Sequence, residues 1–246
     1  LAQAPILTAS AITGEGLPDI VSAIDSLLDS TTPRKDIGRP RLPIDRIFTI
    51  TGFGTVVTGT LIDGCFSVGE EVEVLPPRLK GRLRGLQTHK RKVGVALPGS
   101  RVAANLAGIS PDELKRGNVM TTPGWLAPTK ALDARLRLIP DLPRGLSHNA
   151  TVTFHCGSSE VMGKVRLLEK EKLSPGETGW AQLALAQSVA VVKGDLFIIR
   201  SGKGTLGGGE IIDPFARRHR RFHSATIASL AAKLKDTRDF EVINGV

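Results

Sequence analysis

Residues 44–60 read Ile44-Asp45-Arg46-Ile47-Phe48-Thr49-Ile50-Thr51-Gly52-Phe53-Gly54-Thr55-Val56-Val57-Thr58-Gly59-Thr60. Short apolar and polar runs, with Ile44, Arg46, Phe48 and Ile50 before and Val56-Val57 after, flank the turn signal Thr51-Gly52-Phe53-Gly54. That pattern is two short strands and a connection. It continues outward through Val72 and Val74, then Leu83 and Leu86, with breaks at Asp63-Gly64, Pro76-Pro77 and Pro98-Gly99. Strands about ten residues apart predict a small antiparallel barrel over residues 36–126. After Pro123-Gly124 a second set follows: Ala131 to Leu138, Thr151 to His155, Met162 to Leu168, Trp180 to Leu185, Val189 to Val192 and Phe197 to Arg200. We read a second barrel or sandwich over 127–213. The two regions share no run of identical residues. Gly207-Gly208-Gly209 lacks the Lys and Ser or Thr of a phosphate-binding loop and reads as a tight strand connection.

The ends differ. In residues 1–35, Ile6-Leu7 ends an apolar strand, and Ser10 to Gly16 makes a turn. Leu17, Ile20, Val21, Ile24, Leu27 and Leu28 then form one helical stripe, with Pro18 in the first turn. This single strand–loop–helix unit looks like the end of a larger domain, and a first residue other than Met suggests a piece of a longer chain. Residues 31–42 have linker composition. In 214–246 the cluster Arg217-Arg218-His219-Arg220-Arg221 precedes a short helix marked by Ile227, Leu230, Ala231 and Leu234. The expected fold is mainly β: two consecutive antiparallel barrels, a terminal α/β piece before them and a helical stub after.

The chain has 246 residues, 41% hydrophobic and 23% charged, enough for packed cores. Lys and Arg number 33 against 24 acids, a net charge of +9, which suits an anionic partner such as nucleic acid. Aromatics at 4%, with no Tyr, argue against stacking single-stranded bases on aromatic platforms. No window reaches the apolar length of a membrane helix, and no signal peptide is visible, so no membrane partner and a cytoplasmic location are expected. Cys65 and Cys156 are too few for a disulfide framework or a zinc site, and read as two buried thiols.

The clearest electrostatic feature is Arg78 to Arg101, with no acid between Glu73 and Asp112. Lys80, Arg82 and Arg84 alternate onto one face, and Lys90, Arg91 and Lys92 follow. Such a face is either a solvated edge or a phosphate-facing surface. If it met about four phosphates, the log–log salt slope of binding would be roughly −3 to −4. Arg46 and Arg101 each sit in an otherwise apolar strand pattern. Each alone reads as a barrel-rim ion pair, whereas two on one pocket would make an anion site, because guanidinium stays charged and offers a fork of donors. No histidine pair has metal-ligand spacing, and no catalytic constellation is visible.

These residues also carry a resemblance. The core Gly-x-Gly-x-Val-Val-Thr-Gly of 52–59 resembles the opening of domain II of translational GTPases, and Val68-Gly69-Glu70, Gly99 to Ala103 and Leu114 to Val119 extend it. Asp45-Arg46 with Phe48, His155 to Val165, and Asp195 to Arg200 with Thr205 to Gly209 resemble the selenocysteine-specific elongation factors. The resemblance covers essentially the whole chain. It implies that 1–35 end a GTPase domain, that 36–126 and 127–213 are domains II and III, and that 214–246 start a C-terminal winged-helix region.

The same resemblance implies the chemistry. Thr8-Ala9-Ser10-Ala11 is similar to the last guanine-contacting loop, so Ser10 and Ala11 are the nucleotide-binding candidates. The P-loop, Asp-x-x-Gly and Asn-Lys-x-Asp motifs are missing. GTP and Mg therefore belong to the parent protein, and this chain is not expected to hydrolyse GTP alone. The implied partners are selenocysteinyl-tRNA, the ribosome at a recoded UGA codon and, through C-terminal domains, an mRNA hairpin. Arg46, Arg101, Asp45 and His89 match the aminoacyl pocket, where two Arg would favour a selenolate over a neutral serine hydroxyl. Lys80, Arg82, Arg84, Lys90, Arg91, Lys92, Arg217, Arg218, Arg220 and Arg221 are the tRNA- or RNA-binding candidates. The alternatives are a fragment of a general translational GTPase that binds ordinary aminoacyl-tRNA, and a non-translational barrel used for protein interaction.

Overall fold

The structure, a computed structural model, describes residues 4–32, 36–50, 52, 54–202 and 204–235. The chain divides into two compact units, Leu1–Lys35 and Asp36–Val246.

In the first unit the helix is α1, Leu17–Ser30, with Pro in its first turn. Gly16 caps it at φ 74°, and a Cβ there would lie 2.2 Å from the Thr8 carbonyl oxygen, so only glycine fits the turn. The expected strand at Ile6-Leu7 is not formed, and Ile6 is almost fully exposed. An apolar run becomes a strand only when a neighbour completes its ladder.

In the second unit two six-stranded antiparallel rings follow one another. The first comprises β1 (Arg41–Ile50), β2 (Gly54–Thr60), β3 (Glu71–Leu75), β4 (Leu79–Thr88), β5 (Arg101–Ala107) and β6 (Val119–Thr121). Its order is β3-β6-β1-β2-β5-β4, closed by β4 pairing with β3, and Arg91–Val93 adds a short edge to β4. The second comprises β7 (Thr129–Leu138), β8 (Ala150–Cys156), β9 (Ser159–Leu167), β10 (Thr178–Val189), β11 (Leu196–Ser201) and β12 (Gly204–Asp213). Its order is β7-β10-β9-β8-β11-β12, closing on β7. The second region is thus a barrel and not a sandwich. Short ladders, Phe66–Ser67 with Val95–Ala96 and Leu146–Ser147 with Lys172–Leu173, accompany the two rings.

Alternation explains the two cores. Leu42, Ile44, Val57, Val72, Val74, Val102, Ala104 and Met120 point into the first barrel, and Leu132, Leu136, Val152, Phe154, Val165, Leu183 and Ile199 into the second. Leu83 and Leu86 are three apart, yet both are buried, because a register shift between Leu83 and Gly85 inserts an extra residue.

Three further expectations are corrected. Val189 to Val192 is not a separate strand: β10 runs on to Val189, paired with β9 on one side and β7 on the other. Gly207-Gly208-Gly209 lies inside β12 and not in a connection. A Cβ at Gly209 would fall 1.8 Å from the Arg135 carbonyl oxygen, so the glycines let β12 press against β7. Cys65 is exposed in the turn after Asp63, whereas burial pushes the Cys156 thiol up to about 12.

The barrels share an interface. Leu75 and Val119 of the first pack with Leu126 of the connection and Ala190 of the second. Arg41 is its polar centre: Nε and one terminal nitrogen donate to Asp63, and the other donates to both oxygens of Asp195 at 2.9 and 2.7 Å. Burial opposes the Arg41 charge, but the two carboxylates outweigh it and raise its pKa. Ser159 Oγ also donates to the Gly117 carbonyl at 2.6 Å.

The C-terminal helix α2, Ser224–Lys235, packs Leu230 and Ile227 on Leu168, Trp180 and Ile212 of the second barrel. The chain before it is fastened at Asp133, which is almost fully buried. His219 Nε2 lies 2.6 Å from Asp133 Oδ2, and Gln182 donates to Asp133 and to the Arg217 carbonyl. Burial raises the Asp133 pKa, and the hydrogen bonds from His219 and Gln182 oppose that rise.

Candidate functional site

One strand irregularity builds the site. On β1, Ile44 pairs with Gly59 and Arg46 with Thr58, so Asp45 is the extra residue of a bulge. Ile44 is fully buried and Ile47 packs against the core, while Asp45 and Arg46, between them, turn outward. Strict alternation would have sent one of those two charges into the barrel.

Register then identifies the shared face. Arg46 pairs with Thr58, Thr58 with Ala103, Ala103 with Gln87 and Gln87 with Lys92: one transverse row on the outside of the first barrel. Arg101 stands two residues before Ala103 on β5, on the same face. Thr88 pairs with Val102, so His89, the next residue, leaves β4 level with Arg101. His89 and Lys90 have φ 48° and 63°, the two left-handed residues of a tight hairpin turn. All four pocket candidates therefore lie on or beside one outer face.

Asp45 and Arg101 are joined directly. The Arg101 guanidinium donates to both Asp45 oxygens, at 2.6 and 3.0 Å, and Thr58 Oγ1 donates to Asp45 Oδ1 at 2.8 Å. The hydrogen bond from Arg101 holds the Asp45 carboxyl below its usual value, with smaller help from Thr58 and the Arg46 charge. Asp45 raises the Arg101 pKa in return. Arg101 is half exposed, so this is a rim pair in water and a modest contributor to stability.

Beyond Ala103, Gln87 and Lys92 of the transverse row the face opens into a cavity of about 480 Å³, which none of Asp45, Arg46, His89 and Arg101 lines. Ile50, Val56, Val68 and Val93 form apolar walls, and Arg84, Gln87 and Lys92 bring polar groups to it. Apolar walls with a few converging polar groups suit a small-molecule-sized ligand group. Sequence reading missed this cavity, because its walls come from separate strands and meet only once the ring closes.

The basic candidates divide. Lys80, Arg82 and Arg84 share the exposed face of β4 as expected, although Arg82 lies 3.6 Å from Glu71. Lys90, Arg91 and Lys92 are exposed beside the cavity. In the tail, Arg217, Arg218 and Arg220 are exposed, but Arg221 has a structural position. It donates to the Leu167 and Lys170 carbonyls and lies 2.9 Å from Glu171. In the first unit, Ser10 closes its own loop: its N–H donates to the Glu15 carbonyl, and its carbonyl accepts from Gly14. Ala11 is exposed. Two loop residues do not by themselves make a nucleotide site. Among the described residues no His, Cys, Asp and Glu cluster has the make-up of a metal site, and no helix is long and apolar enough to cross a membrane.

Residues 54–121 match the model of elongation factor Tu domain 2, and residues 133–218 match that of the selenocysteine-specific elongation factor β-barrel domain. The chain is 40% identical to a selenocysteine-specific elongation factor of Desulfomicrobium baculatum over 94% of its own length and 37% of that protein's. It is 32% identical to elongation factor Tu 2 of Streptomyces avermitilis (strain ATCC 31267), over 80% of the chain and 53% of that protein. The crystal structure of a bacterial selenocysteine-specific elongation factor, EF-Sec, superposes with a TM-score of 0.77 at 26% identity, covering 92% of this chain and 36% of that one. The chain thus spans between about a third and a half of the relatives it matches.

Proposed function

We propose, on the premise of this kinship with the selenocysteine-specific elongation factors, that the chain is the tRNA-carrying part of such a factor. Its parent would deliver selenocysteinyl-tRNA to the ribosome at a recoded UGA codon, with GTP and Mg held by a GTPase domain that residues 1–35 would complete. An mRNA hairpin would be held by domains beyond residues 214–246. The outer face of the first barrel carries this reading, because two arginines, a carboxylate and a cavity meet there. The aminoacyl end of the tRNA would lie on that face, with its terminal nucleoside in the cavity and its side chain toward Arg46 and Arg101. A selenol is more acidic than a thiol and is an anion at neutral pH, whereas a serine hydroxyl is neutral. The two guanidiniums favour the anion and gain nothing from serine. Lys80, Arg82, Arg84, Lys90, Arg91 and Lys92, with Arg217, Arg218 and Arg220, would meet phosphates.

The test joins the chain to a GTPase domain and follows ester hydrolysis of selenocysteinyl-, cysteinyl- and seryl-tRNA with GTP and with GDP. GTP-dependent protection of the selenocysteinyl ester alone is expected, and Arg46→Ala should narrow its lead over seryl-tRNA about tenfold or more. Equal protection of all three would mean a general carrier. No protection of any would mean a different role for the barrels.

A further inference from the structure

We propose that Asp45 is a built-in competitor for the anion site of Arg101, so that Arg101 opens to a ligand anion only in exchange for Asp45. The inference rests on reading this face as the aminoacyl site, and it adds how that site is held when empty. The end-on fork of Arg101 is occupied: its two terminal nitrogens donate to the two Asp45 oxygens. A ligand anion cannot take that fork while the carboxylate holds it.

The surroundings allow the carboxylate to leave without being stranded. Thr58 Oγ1 already donates to it, and Arg46 is its neighbour in the chain on the same face, with its charge acting on Asp45. The bulge that turns both Asp45 and Arg46 outward creates this second station. Arg46, Arg101 and Asp45 together carry one net positive charge, which one monoanion neutralises. A neutral side chain gains nothing from parting the pair. Small stray anions must also pay the exchange, whereas a ligand anchored elsewhere on the face can bear it.

The experiment uses the chain as it is, with carboxyl-13C aspartate and 15N arginine. The anionic probe is reduced N-acetyl-selenocysteine methylamide, and the neutral control is N-acetyl-serine methylamide. With saturating selenolate, the Asp45 carboxyl pKa should rise toward its ordinary value while the Arg101 Nε resonance shifts; the serine control should move neither. Asp45→Asn should bind the selenolate about fivefold tighter. Three results overturn the proposal: an Arg101 shift with an unmoved Asp45, weaker or equal selenolate binding by Asp45→Asn, or no selenolate binding by either chain. The tRNA ester assay is separate. Its failure beside a successful exchange would remove the carrier reading and leave the exchange standing.

Discussion

The first barrel opens with a hairpin, β1 to β2, whereas the second opens with a crossover from β7 to β8. Their rings nonetheless have the same neighbour relations once β12 is read as the opening strand of the second. Then β12, β7, β8, β9, β10 and β11 take the places of β1 to β6, and every pairing agrees. The satellite ladders agree too. In each barrel a ladder joins the first crossover to the connection that follows the fourth strand of the shared ring. The two barrels are one topology with the chain ends moved by a strand, although no repeat is visible in the residues. A ring of pairings can thus persist while both sequence and starting point change.

The largest test concerns whether the two rings unfold together. Phe154→Ala removes a fully buried ring stacked on Phe197, and Phe66→Ala empties the matching core of the first barrel. Each should cost about 3–5 kcal/mol. Calorimetry should show one transition moving in both variants, because Arg41 and the Leu75 cluster join the barrels. Two transitions, each sensitive to one variant, would make the rings independent. Asp195→Ala has a smaller expected effect, about 2 kcal/mol, since Asp63 still partners Arg41. It should also split the single transition, because it cuts the charged tie between the rings.

The smallest effect belongs to a device of the second barrel. His219→Ala removes one partner of buried Asp133 and should cost about 1–2 kcal/mol at neutral pH in urea melts. Burial holds the folded pKa of Asp133 above the ordinary carboxylate value, so between the two values the folded state holds more protons than the unfolded one. Stability from this group therefore falls as pH rises through the interval. The deficit of His219→Ala should shrink when the pH is lowered enough to protonate Asp133. A deficit independent of pH would place the effect of His219 in packing.

Much of this was legible in the sequence because strands and helices write local patterns. The alternation around Phe48, the stripe of α1 and the turn pairs each fix their element within a few residues. The bulge at Asp45 left a trace as well, since Ile44 and Ile47 are three apart where alternation would give two or four. The cavity and the Asp133–His219 pair left none. Their parts lie up to 86 residues apart, and only closure of a ring brings them together. Gly207 to Gly209 misled for a different reason: glycine marks turns and close strand contacts alike, and only the neighbouring strand tells them apart.

The shift of starting strand has a consequence during synthesis. β1 meets β2 after a connection of three residues, so its edge is covered almost as soon as it is made. β7 pairs only with β10 and β12, and β10 begins at Thr178, about forty residues later. At ribosomal speeds that is a wait on the order of several seconds. For that time a nascent strand bearing Leu132, Ala134, Leu136 and Leu138 has two open edges and no core, which leaves 129–138 open to mispairing until Thr178 and its successors emerge.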